Sequence, residues 1–313
     1  MEFDPRWPDD RDDARRAESG RELNQGSRGG TSDALERESR DPRDVFSRDL
    51  DLPRGQNRER VWMREQSVLL RGSEARALAT VGAFRVVHAE DLRDGQGQPL
   101  DPRDGDLRHL KQEHLVRTIP VRDGRALVVL TERGRDVIER NRHGREQQFY
   151  AGLQRPRELL HDARVYQAYE RETELLREEG ATIRRVMLDT ELKRDYQQFL
   201  QGRNRGRGDS DGRPDRTAEE IAAWARAHDL PYEDGHVRFP DARLEVEEAD
   251  GRWTREDIEV VTRHYRGAHA ARAARGGVRT YRASGLGQGR GGGAAMRRGG
   301  RARRGGLADE VLR

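Results

Sequence analysis

Gly105-Asp106-Leu107-Arg108-His109-Leu110-Lys111-Gln112, followed by Leu115-Val116 and then by Leu127 to Gly134, closes on Leu130-Thr131-Glu132-Arg133-Gly134. Leu107 and Leu110 lie three apart, so a helix over 104–113 sets both against a core, with Leu115 just beyond. The opposite face then carries Arg108, His109, Lys111 and Gln112, which are donors suited to base edges and phosphates. Val116–Val121 and Ala126–Thr131 read as strands from their β-branched content. Between them, Arg122-Asp123-Gly124-Arg125 holds the Asp-Gly pair of a tight hairpin turn. Thr131 is placed to cap a last helix through Arg140.

Upstream, Ser73 reads as the N-cap of a helix that stops at Gly82, with Ala77, Leu78 and Val81 at helical spacing. Phe84-Arg85-Val86-Val87 is a short apolar run, His88–Leu92 a brief helical turn, and Gly95–Pro102 a loop. Helix, helical turn, helix, hairpin, helix is the order that lays one helix in a DNA groove with a wing beside it. Residues 58–145 are therefore expected to form a winged helix-turn-helix that contacts double-stranded DNA. Arg108, His109, Lys111 and Gln112 would read the groove, Arg103 would flank them, and Arg122 and Arg125 would sit on the wing.

The whole chain reads as α+β. A helical linker over 146–180 leads to a small α/β domain over 181–282 with a flexible insertion at 202–216. Residues 1–57 and 283–313 are expected to be disordered tails, since the first mixes charge with Gly, Ser and Pro, the last is Gly/Arg-rich, and both are poor in large apolar residues. Phe46 and Leu50 either belong to a short docking motif or pack on the next domain. The composition agrees: 33% of residues are hydrophobic, 38% are charged, and mean hydropathy is −1.10. Lysine occurs only at 111 and 193, so arginine abundance alone says little about partners. From Val260 to Ala308, however, there are twelve arginines and no acidic residue, which suits a solvated tail and equally a phosphate-binding one. The absence of cysteine excludes disulfides and thiol chemistry. Without an apolar leader or a run of membrane-spanning length, a cytoplasmic location with no membrane partner is expected.

The stretch from Gly105 to Leu110, with Leu115-Val116 and Leu127–Gly134, resembles the recognition helix and wing of MarR-like winged helices, in which Leu-Thr-x-x-Gly closes the second wing strand. The arrangement over roughly 60–282 is similar to the replication-relaxation family of bacterial mobile-element proteins. That resemblance implies DNA binding linked to replication and transfer of plasmids or integrative elements, or to transcriptional regulation. It also makes a relaxase or another mobile-element protein an expected partner. The long terminal helices through which MarR-like regulators dimerise are missing from the pattern.

A second chemistry is written near residue 240. Phe239-Pro240-Asp241, Leu244-Glu245-Val246-Glu247 and Asp257-Ile258-Glu259-Val260 place carboxylates on alternating strand positions. This resembles the Pro-Asp…(Asp/Glu)-x-Lys nuclease core, and the resemblance implies that Asp241 with Asp257 or Glu259 would hold Mg²⁺. The essential lysine is absent: Glu259 stands in its place, and an arginine is a poor proton-transfer group. The segment thus reads as an active nuclease, a degenerate nuclease-like fold, or ordinary half-exposed strands. If the protein is not a nuclease, no catalytic residue, metal or cofactor is expected. A third reading makes the chain an interaction module that holds a relaxase without touching DNA.

Overall fold

The computed structural model describes residues 45–64, 66–94, 97–121, 124–144, 146–153, 158–204, 216–261 and 279–282. The tail residues 1–44 and 283–313, most of the 202–216 insertion, residues 262–278 and Arg122 lie outside the described residues.

The chain enters its core earlier than the sequence suggests. Phe46 and Leu50 are buried, and the Phe46 ring meets Phe84 edge-on at 5.8 Å and Tyr169 at 6.0 Å. Val45, Phe46 and Leu50, within the segment expected to be a disordered tail, thus pack into the core, which is the second of the two readings of Phe46 and Leu50. Strands β1 (Glu59–Trp62) and β2 (Ser67–Leu70) then form an antiparallel hairpin in the register Val61↔Val68. Val61, Val68 and Leu70 face inward, while Arg60, Trp62 and Leu69 face out.

Helix α1 (Gly72–Phe84) starts before Ser73, because the Glu74 carboxylate accepts from the Arg71 backbone N–H at 3.0 Å and satisfies an end donor itself. Gly82 does not stop it. A Cβ there would press on Phe149, Leu130 and Ile138 at 3.0–3.2 Å, so the glycine serves close packing inside the helix. The turn comes at Arg85, with φ of 65°.

Strand β3 (Val86–His88) and a 3₁₀ turn (Ala89–Asp91) follow. A second 3₁₀ turn (Pro102–Asp104) leads into α2 (Asp106–Gln112), β4 (Val116–Pro120), β5 (Ala126–Leu130) and α3 (Glu132–Arg140). The three strands form an antiparallel sheet in the order β3-β5-β4. Its middle strand is buried on both faces: Val128 and Leu130 join the main core, and Leu127 and Val129 pack with Val86 and Ala163. Thr131 caps α3 by accepting from the Gly134 N–H at 3.0 Å. At Gly134 a Cβ would collide with the Leu115 carbonyl oxygen and with Leu130.

Helix α4 (Leu159–Glu178) is the central helix, where the sequence suggested a linker. Val165, Tyr166, Ala168, Tyr169 and Leu176 are buried, and the two tyrosine rings stack near Phe84. Beyond it come β6 (Thr182–Leu188), α5 (Asp189–Gln201), α6 (Ala218–Ala227), the short pair β7 (Tyr232–Glu233) and β8 (His236–Val237), β9 (Ala242–Glu247), β10 (Trp253–Val261) and β11 (Arg279–Arg282). The second sheet has the order β11-β10-β9-β6, antiparallel except for β10 with β11. Its inner residues Ile183, Val186, Leu244, Val246, Ile258 and Val260 join the same apolar cluster as Phe84 and Leu130, so one core runs through both sheets. Edge strand β6 is covered: the Gln147 side-chain amide donates to the Val186 carbonyl at 3.0 Å and accepts from its N–H at 3.3 Å. The result is a mixed α/β architecture with small, mainly antiparallel sheets. Among the described residues, no helix is long and apolar enough to cross a membrane.

Candidate nucleic-acid interface

Helix α2 is barely two turns long, and its bearing is fixed from beneath. Leu110 and the following Leu115 are fully buried, Leu107 is packed at the core's edge, and the buried Asp106 carboxylate accepts from Arg71 Nε at 2.7 Å. At about 100° per residue, Arg108 and Gln112 then fall opposite Leu110, and Lys111 falls on the flank across from His109. All three are exposed, and none makes a side-chain hydrogen bond or ion pair among the described residues.

His109 behaves differently from the sequence expectation. Its Nδ1 lies 2.9 Å from Oε1 of the fully buried Glu74, a carboxylate that Arg58 also clasps through Nε and Nη2 at 2.6–3.1 Å. Helical geometry puts residue 109 on the flank, between the core and the open face. The half-buried imidazole is thereby turned toward α1, with only part of its ring left to solvent.

Arg103 is exposed in the 3₁₀ turn before α2. On the β4–β5 hairpin the turn is closed by Val121 N–H to the Arg125 carbonyl at 3.0 Å, with Gly124 at φ of 79°. Arg125 reaches back to Glu90, Nη1 to Oε1 at 3.1 Å, which offsets its charge within the protein. The sequence reading passed over Arg117, which is exposed on β4. Its signal was present: Arg117 holds an outward position in an alternating strand.

The carboxylates of the nuclease-like segment are occupied by protein partners. Asp257 is held in a bidentate pair by the buried Arg243, Nε to Oδ1 at 2.6 Å and Nη2 to Oδ2 at 2.7 Å. Arg243 also donates to the backbone carbonyls of His228 and Asp229. Asp241 accepts from the Val260 N–H at 2.8 Å and sits 2.9 Å from His161 Nε2. Burial works against a charge on His161, but the Asp241 hydrogen bond and the nearby Asp162 and Glu259 carboxylates outweigh it and raise its pKa. Among the described residues, no three His, Asp or Glu side chains are grouped to hold a metal ion. Asp241, Asp257 and Glu259 therefore do not fit a Mg²⁺ site as they stand, because two of the three are already bound by a guanidinium or an imidazole. The His161–Asp241 contact spans 80 residues, and nothing local in the sequence signals it.

Compared with known proteins, the chain matches no protein-family model, no curated protein and no solved structure.

Proposed function

We propose that this chain binds duplex DNA through a winged-helix unit over 58–145, with α2 as the element that enters the groove. The observation that carries this reading is the outer face of α2. Arg108, Lys111 and Gln112 stand exposed and unpaired among the described residues, on a helix whose opposite side is locked by Leu110 and Asp106. Rigid support beneath cationic and amide donors is what groove reading requires. The order α1, β3, α2, β4, β5 with sheet order β3-β5-β4 supports it, since the hairpin then lies directly after the helix. Arg103 and Arg117 extend the cationic surface on either side of α2 in sequence, and the Arg-rich 283–313 segment adds phosphate attraction. The cellular setting, replication or transfer of a mobile element or control of its transcription, follows from the family resemblance alone. A relaxase is the corresponding partner.

Fluorescence anisotropy with labelled duplex DNA over a range of salt tests the proposal. Arg108→Ala with Lys111→Ala lowers affinity at least about tenfold, and the slope of log K against log salt flattens by up to about 2, near 0.9 per lost phosphate contact. Undiminished binding with an unchanged slope rejects α2 as the contact. No observation favours metal-dependent cleavage, because Asp257 is bound by Arg243.

A further inference from the structure

We propose that Trp62, with Arg60 beside it, is a stacking platform for an unpaired base, so that the chain engages DNA where a duplex opens into a single strand. The inference rests on the duplex-binding reading of α2 and adds a substrate class to it.

Trp62 is 62% exposed and Leu69, also on the outer face of the β1–β2 hairpin, is 51% exposed. The hairpin's packing does not need them: Val61, Val68 and Leu70 already fill its inner face, and Asn141 Nδ2 holds the strand by donating to the Trp62 carbonyl at 3.0 Å. A large ring left in water on a strand that is anchored elsewhere is available to a partner. The charges around it say which kind. Arg60 lies over the ring, with its guanidinium carbon 5.7 Å from the centroid, and Arg64 is exposed in the turn. Neither arginine makes an ion pair among the described residues. A flat apolar ring flanked by unpaired cations complements a strand whose bases are flat and whose backbone is anionic. An apolar or acidic protein surface would match only one of those two features.

Position supports the same occupant. Two bridging side chains, Glu74 of α1 and Arg133 of α3, tie the hairpin to α2. At its base Arg58 shares Glu74 with His109, and at its tip Gln66 accepts from Arg133 Nη1 at 2.6 Å while Arg133 Nε donates to the Glu113 carbonyl at the end of α2. DNA seated on Arg108, Lys111 and Gln112 would thus have the Trp62 hairpin as its neighbour. In a closed duplex the bases are stacked on one another and cannot take the ring, whereas a frayed or single-stranded end can.

The test compares the full chain on a labelled blunt duplex and on the same duplex carrying a short single-stranded thymidine tail. The wild-type protein binds the tailed DNA more tightly by roughly five- to a hundredfold, the range of one stacked base. Trp62→Ala removes that advantage while blunt-duplex affinity holds, and Trp62→Phe keeps most of it. Quenching of tryptophan emission by free thymidine oligomer is seen in wild type and lost in Trp62→Phe. If wild type binds blunt and tailed DNA alike, or if Trp62→Ala weakens both equally, the stacking inference falls and the duplex reading stands. If wild type binds neither, both fall. Self-association that disappears in Trp62→Ala would also overturn it, by assigning the patch to a second copy.

Discussion

Replacing Asp257 by Ala separates a structural carboxylate from a metal ligand. The Arg243 side chain is 3% exposed, and both of its bonds to Asp257 are charge-assisted and short, at 2.6 and 2.7 Å. Two of its other donors hold the carbonyls of His228 and Asp229, just after α6. Removing the carboxylate leaves a guanidinium that stays charged in the interior and that water cannot easily reach. Breaking one side of such a pair costs about 3–5 kcal/mol, because the penalty is the uncompensated charge and not merely the lost bond. At roughly 2–4 °C per kcal/mol for a unit of this size, the melting temperature drops by about 6–20 °C. Urea denaturation monitored by circular dichroism measures the free energy, and hydrogen exchange should show the segment after α6 opening first. Arg243→Met with Asp257→Leu recovers most of the loss, since two apolar residues need no partner. A loss below about 1 kcal/mol for Asp257→Ala would refute the reasoning and free Asp257 for other chemistry.

Two further outcomes follow from the packing. The His161 pKa is raised in the folded state by Asp241, Asp162 and Glu259 in spite of burial, so its contribution is fully present below the unfolded value near 6.5 and is lost as pH rises through the folded pKa. Urea titrations in steps upward from about pH 6 should show stability falling, His161→Gln should flatten that fall, and an identical fall in the variant would exclude the histidine. Gly134→Ala forces a methyl group into the Leu115 carbonyl and to 2.6 Å from Leu130 Cδ1, at a cost of about 1–3 kcal/mol in thermal unfolding. A neutral effect would mean that α3 can shift away from β4.

Local signals decided the elements that carry their own start and stop residues. Thr131 and Thr217 cap their helices through the Gly134 and Glu220 N–H groups, and the alternation Val116-Arg117-Thr118-Ile119 became β4. Leu107 and Leu110, three apart, were enough to place Arg108, Lys111 and Gln112 on the outward side of α2. These signals act over a few residues, through backbone hydrogen bonds and side-chain spacing, so the sequence alone contains them. The burial of α4 and the continuation of α1 through Gly82 were decided only by tertiary packing, because each depends on rings or side chains brought from distant parts of the chain. Ionisable partners were decided the same way. Arg58 takes up Glu74, Arg243 takes up Asp257 and His161 takes up Asp241, since a charge leaving water must find whatever opposite charge the fold sets beside it. The residue types at a site can thus be read from the sequence, but which of them remain free to act is fixed by burial and by who their neighbours turn out to be.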